Sequence, residues 1–534
     1  LRGAFYMRKK YTRVGYAVLT MCTALSISLP FTTHSASAES AADPAPEIKA
    51  SVVNENNGKK ILFDNTHGQT AGTADWVIDG GFSDFGKGLA GSGFDVKELR
   101  KSTPITYSDL SGYSVFVVPE ANIPYKSSEQ AALLQYVQSG GSVFFIADHY
   151  NADRNKNRWD SSEVFNGYRR GAWTNPQKGM TTEEATSDAM QNVTSSDWLA
   201  SNFGVRFRYN AIGDVTANDI VAPSQAFGIT LGVSTVAMHA GSTVAITDPN
   251  KAKGIVYLPK TTTKWSNAVD QGVYNGGGRA EGPFAAVSKV GTGKAAFIGD
   301  SSPVEDATPK YKREDTGSSK TTYDGFKEQD DSTLLVNMVN WLAKKESYTS
   351  LNQVSGLQLD QATALLSSET PSQSTEPQPE PWSAPTSGYK WYDTSTFASG
   401  SYGYKGGTTQ PPAASAYVLE HQAILPTSGV FQIRVKVSGL SANTTYSTFN
   451  LGAYNGSGTQ IAKVQNADGS WPSSYGYSSN FSITTDAAGN GEKVLNVQLN
   501  PSAAGSANLR LRQSGTNAYT EAVTVGNVAV QPLP

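Results

Sequence analysis

Apolar and polar positions follow two different rhythms along this chain. In residues 59–350, short apolar runs alternate with stretches of helical spacing. Residues 60–63 form an apolar run ending at Asp64, and 82–89 follow with helical spacing. Residues 94–96 read as a strand and 113–118 as a buried one. Ser127 or Ser128 is expected to cap a helix with Ala131, Leu134 and Val137 on its apolar face. Gly140-Gly141 ends that helix, and 142–147 is the next buried strand. Residues 295–299 form another strand, and 334–342 an amphipathic closing helix. Strands alternating with helices predict an α/β domain with a parallel sheet covered on both faces. Residues 151–285 are richer in Gly and polar side chains and predict insertions around the sheet edge.

From 388 to 534 the period becomes two. Residues 430–437, 493–497 and 508–512 alternate inward and outward, with Gly- and Asn-rich turns between them. This predicts an all-β sandwich. Between the two regions, 367–386 reads SSETPSQSTEPQPEPWSAPT, too polar to bury a core. The expected organisation is a signal peptide over 1–38, a polar leader over 39–58, an α/β domain over 59–350, a protease-sensitive linker over 351–387 and a β-sandwich over 388–534.

The signal peptide is read from Arg8, Lys9, Lys10 and Arg13, the apolar run from Tyr16 to Leu29, and Ala36-Ser37-Ala38 at the cleavage position. It predicts a secreted, extracellular or envelope-associated protein. Cys22 lies inside this segment behind Met21, which does not fit a lipid-anchor signal. It is the sole Cys of the chain, so the processed protein is expected to have no disulfide and no Cys nucleophile. The formal charge is −3, and removing the five basic residues of 1–38 leaves −8. That balance argues against general affinity for phosphate backbones and leaves nucleic acid only as an alternative partner. No run after residue 38 is long enough to span a membrane.

Ligands of an open parallel sheet bind beyond the carboxyl ends of its strands. Three of these ends begin with Asp: Asp64, then His67 and Gln69; Asp148, then His149, Asn151 and Asp153; and Asp300, then Ser301 and Glu305. Asp64, His67, Asp148, His149 and Asp300 are the candidate catalytic residues, expected around one cleft. Asp64, His67, Asp148, His149 and Asp153 offer an oxygen and nitrogen set for one divalent ion, Zn, Mn or Mg. A His–Asp pair acting as a base without metal is the other option. Gln69, Asn151, Ser301 and Glu305 are candidate substrate contacts. For a single Asp the plainer role is a turn cap. Residues 299–303 do not form a nucleophile elbow, 154–159 reads as a solvated loop, and 276–279 as a flexible one. Trp382, Trp391, Tyr392, Tyr402, Tyr404, Trp471, Tyr475 and Tyr477 could stack on sugars or bases, or pack internally.

Residues 60–64, 113–119 and 140–148, the Gly-Pro-Phe-Ala-Ala of 282–286 leading to 291–302, and 337–342 together resemble the class I glutamine-amidotransferase-like fold. The likeness is to its ThuA-like and intraflagellar-transport GIFT-like branches and spans about 59–345. Amidotransferases place a Cys on an elbow after a central strand. Here that strand end reads Ala147-Asp148-His149-Tyr150, so the resemblance implies the fold without the glutaminase triad. The combined expectation is a secreted hydrolase-like enzyme whose sandwich docks to an extracellular polymer or the envelope. The alternative is a non-catalytic extracellular binding protein.

Overall fold

The structure, a computed structural model, describes residues 39–376, 384–405, 416–440, 443–486 and 489–533. The expected signal peptide with Cys22, and Trp382 in the linker, lie outside the described residues. In chain order the first strands are β1 (Glu47–Ile48), β2 (Val52–Val53), β3 (Lys60–Asp64), β4 (Asp95–Leu99), β5 (Val115–Pro119), β6 (Ser142–Ile146), β7 (Val205–Phe207), β8 (Val215–Ala217), β9 (Asp219–Ile220), β10 (Val236–Met238), β11 (Val244–Ile246), β12 (Ala252–Tyr257), β13 (Ala285–Val290) and β14 (Gly293–Ile298). Nine of them form one sheet in the order β1-β4-β3-β5-β6-β14-β13-β12-β9.

The run β4-β3-β5-β6-β14 is parallel. β1, β13, β12 and β9 extend it through antiparallel pairings, so the expected parallel sheet is a mixed one. The reason is local. Only Gly291, at φ 59°, and Thr292 join β13 to β14, a span that closes a hairpin and cannot make a crossover. The inner strands are buried on both faces and therefore read as continuous apolar runs.

The helices are α1 (Ser83–Gly91), α2 (Tyr107–Leu110), α3 (Ser127–Gln138), α4 (Ser161–Asn166), α5 (Thr182–Ala185), α6 (Trp198–Phe203) and α7 (Asp331–Leu342). Ile61 and Phe63 of β3 pack with Phe85 of α1 and Leu334 of α7 on one face. Leu62 points the other way, into a core with Phe116, Phe145 and Leu133 of α3. The N-cap position of α3 is Lys126, not Ser127 or Ser128. The Glu129 carboxylate accepts the Lys126 backbone N–H at 2.9 Å, which does the capping.

The polar flanks are docked, contrary to a leader and linker free of the domain. Glu39 pairs with Arg100 at 2.7 Å and Lys310 at 2.8 Å. In the linker, Glu369 receives two hydrogen bonds from Arg208, at 2.7 and 2.6 Å, in a buried fork. Asp360 pairs with Lys253 at 2.8 Å. Beyond the undescribed 377–383, Tyr389 and Trp391 join the α3-side core, and the Trp391 indole donates to Glu184 at 3.0 Å. A polar strand of chain docks when partners wait for its charges. Residues 389–404 thus belong to the α/β region.

The strand-rich C-terminal region comprises β15 (Ala416–Gln422), β16 (Ile424–Pro426), β17 (Phe431–Ser438), β18 (Thr445–Asn455), β19 (Ala462–Val464), β20 (Phe481–Thr484), β21 (Gly491–Leu499), β22 (Gly505–Gln513) and β23 (Thr516–Gly526). They fall into two sheets, β19-β21-β17-β15-β2 and β16-β23-β22-β18-β20. Inward residues of both, such as Ile433, Val435, Leu451 and Leu509, share one apolar core. The leader strand β2 pairs parallel with β15, so residues 52–53 complete a sheet of this region.

Candidate functional site

Sequence order reverses in the sheet between β3 and β5, which places a crevice beyond their carboxyl ends. Every parallel strand end there delivers buried polar groups. Asp64 follows from β3, Glu120 from β5, Asp148 from β6 and Asp300 from β14, each no more than 3% exposed. The ends of β3 and β6 stand two strand spacings apart, about 10 Å. They carry separate networks.

At the β3 end, Asp64 Oδ2 accepts from His67 Nδ1 at 3.1 Å, Gln69 Nε2 at 3.1 Å and the Tyr125 hydroxyl at 2.9 Å. Its other oxygen accepts from the Thr66 backbone and hydroxyl. His67 Nε2 faces Glu129 at 3.4 Å, and its ring lies 3.9 Å from that of Tyr125. Burial opposes charge on this imidazole, but Glu129 and Asp64 outweigh it and push its pKa up to about 10. Burial would raise Glu129, yet His67 holds it down to about 2. His67 is therefore a clamped imidazolium. Gln69 is wholly buried and tied to Asp64 and the Pro119 carbonyl, so it braces this loop and is closed to a substrate.

At the β6 end the chemistry differs. His149 Nδ1 lies 2.8 Å from the Tyr150 carbonyl, which can only accept. Nδ1 therefore carries the proton, and in the neutral ring Nε2 carries the lone pair. Nε2 stands 4.0 Å from Asp148, beyond hydrogen-bond range, with 9% of the side chain exposed. Asp148 instead pairs with the Arg154 guanidinium, whose Nε donates to Glu120 at 3.2 Å. The same guanidinium lies 5.5 Å from the centre of the Trp76 ring. The Trp76 indole and the Ser301 hydroxyl each donate to Glu305 at 2.8 Å. Burial first, then Asp148 and Glu305, hold Glu120 well above the usual carboxylate range against the pull of Arg154. Burial and Asp148 push Asp300 up to about 8.

The expected metal set is not assembled. Among the described residues no group of three or more His, Cys, Asp or Glu side chains could hold a metal ion. Both His67 nitrogens are taken up by carboxylates, and the backbone amides of Asp153 and Asn151 are held by Asp160 in a loop with positive φ at both. Asp300 caps its own loop through the Ser302 and His239 backbone N–H groups.

Glu120, Glu129, Arg154 and Trp76 were not legible as site residues. Glu120 does follow an apolar strand, the one signal that would have found it. Arg154 belongs to the segment read as a solvated loop, and only the fold brings its partners to it.

A cleft of about 1000 Å³ opens at the β3 and β5 ends, lined by Asn65, Thr66, Gly68 and Ile123. Tyr389, Trp391, Phe397, Tyr402 and Tyr404 also line it.

No family model and no curated protein matches this chain. Among solved structures it is similar to the mmIFT52 N-terminal domain, at 14% identity, covering 54% of this chain and 99% of that one with a TM-score of 0.34. It is also similar to a protein described as "Putative Lipoprotein from Bacillus anthracis", at 15% identity, covering 21% and 72% with a TM-score of 0.15. Likeness at this level carries no inference about fold or chemistry. No helix of the described residues is long and apolar enough to cross a membrane.

Proposed function

We propose that this is a secreted, hydrolase-like enzyme that uses a metal-free acid–base site at the β6 and β14 ends. One observation carries the reading: the Tyr150 carbonyl, 2.8 Å from His149 Nδ1, fixes the tautomer of the neutral ring as the one with its lone pair on Nε2. In this role His149 takes a proton from an attacking water. Asp300, pushed up to about 8 by burial and Asp148, remains protonated near neutral pH and is the group from which a leaving group can draw a proton. Arg154 holds Asp148 and Glu120 in place. The parallel run of five strands between helical layers supports an amidotransferase-like fold without its Cys. The shared core of the two C-terminal sheets supports a sandwich that docks to an extracellular polymer or envelope surface.

The test is a panel of chromogenic esters, phosphodiesters and glycosides offered to the processed chain and to His149→Ala. Turnover of one class, reduced about 100-fold or more by the substitution, is the expected result. A substrate turned over equally by both proteins would remove His149 from the chemistry. The aromatic cleft favours a second reading, an extracellular binding protein, which predicts no turnover of any class.

A further inference from the structure

We infer that the cleft between the β3–β5 edge and residues 389–404 is a binding site for a neutral oligosaccharide. It lies where sequence order reverses in the sheet, the position at which open α/β sheets bind ligands. Its volume of about 1000 Å³ is at the upper end of small-ligand pockets and exceeds the needs of one sugar ring. The wall contributed by 389–404 is aromatic; Tyr389 and Trp391 are buried in the core and Arg100 lies 5.6 Å from the centre of the Tyr402 ring, so the half-buried Tyr404 is a ring left to offer a face to the C–H side of a pyranose. Asn65 and Thr66 also line the cleft; the Asn65 amide donates to Glu98 and the Thr66 hydroxyl to Asp64, which leaves their oxygens as acceptors for sugar hydroxyls.

Charge decides between ligand classes. Lys101 is already paired with Asp109 at 2.6 Å. Asp43 accepts from the Ser40 backbone at 2.7 Å. Glu314 faces Lys320 at 3.9 Å and accepts from the Gly72 backbone at 2.8 Å. These three of the four charged residues lining the cleft, Lys405 being the fourth, have partners within the protein, so a ligand that recruits them would displace existing contacts, whereas a neutral polyol would not. Two lining groups retain unused capacity: the Tyr402 hydroxyl and Glu314 Oε2 are buried without a hydrogen-bond partner. A protein that leaves a buried hydroxyl unsatisfied loses stability, and a ligand hydroxyl would satisfy it.

This inference does not depend on His149 acting as a base. The test is titration calorimetry of the processed full chain with chitotetraose, cellotetraose and xylotetraose, with AMP as a charged stacking probe. Saturable binding of at least one tetrasaccharide is expected. Tyr404→Ala should weaken it about tenfold through lost stacking. Tyr402→Phe, which removes a hydroxyl with no protein partner and so spares the fold, should weaken it about fivefold. His149→Ala should bind as the parent does, which separates failure of the cleft from failure of the acid–base site. Absence of saccharide binding, preference for AMP, or affinity unchanged in both tyrosine variants would overturn the inference.

Discussion

His67 and His149 follow parallel strands of one sheet, each with an Asp close by in sequence, yet the fold gives their ring nitrogens different partners. His67 has a carboxylate on both sides and is held charged. His149 faces a carbonyl through one nitrogen and stands clear of Asp148 with the other. The first is a structural cation that fixes the loop after β3 and, through it, one wall of the cleft. The second is the base of the proposed function. Proximity of His and Asp in sequence therefore does not define a base; the atom that each ring nitrogen meets does.

The largest test of this contrast is Glu129→Gln. If His67 is a buried imidazolium, removing one counter-charge should cost about 3 kcal/mol of stability. The urea midpoint measures it. A loss under about 1 kcal/mol would mean that the ring sheds its proton easily and that the two histidines are alike.

The pH dependence of that loss is the next test. The folded pKa of His67, about 10, lies above its ordinary 6.5. Its contribution is complete below 6.5 and is lost as pH rises toward 10. Glu129, at about 2, lies below its ordinary 4.5, so its contribution is complete above 4.5 and is lost as pH falls toward 2. The difference in stability between the parent and Glu129→Gln should therefore peak between pH 4.5 and 6.5 and shrink on both sides. A pH-independent difference would assign Glu129 to helix capping alone, through its bond to the Lys126 amide.

Much of the frame behind this contrast was legible. β3, β5 and β6 fall within two residues of the apolar runs that predicted them, because strands buried on both faces leave an unbroken apolar signature. The strand ends carrying Asp64, Asp148 and Asp300 followed directly. The partners around each histidine did not. They include Glu129, 62 positions from His67, and, beside His149, an Asp148 whose other oxygen is bound by the Arg154 guanidinium. The same limit hid the docked flanks. The polar composition of 367–376 suggests a tether, and nothing local reveals that Arg208 awaits Glu369.

The smallest predicted effect isolates burial as the cause. His239 repeats the arrangement of His67, with Asp214 at 3.2 Å from Nδ1 and Glu328 at 2.7 Å from Nε2. Its pKa is likewise raised, with burial opposing the hydrogen bonds it donates to Glu328 and Asp214. Here, however, the Asp214 side chain is 74% exposed and that of Glu328 41%. Water and salt screen such pairs, and their net contribution is about 0–1 kcal/mol. Glu328→Gln should therefore shift the urea midpoint by less than a third of the Glu129→Gln shift, and the effect should fade as ionic strength rises and the Debye length contracts. The Glu129→Gln effect should persist in salt, because its pair lies out of reach of counter-ions. If both substitutions cost the same and respond alike to salt, carboxylate contact alone sets the state of these histidines. The distinction between the clamp at β3 and the imidazole at β6 would then rest on His149 Nε2 standing 4.0 Å from Asp148, with no contribution from depth in the fold.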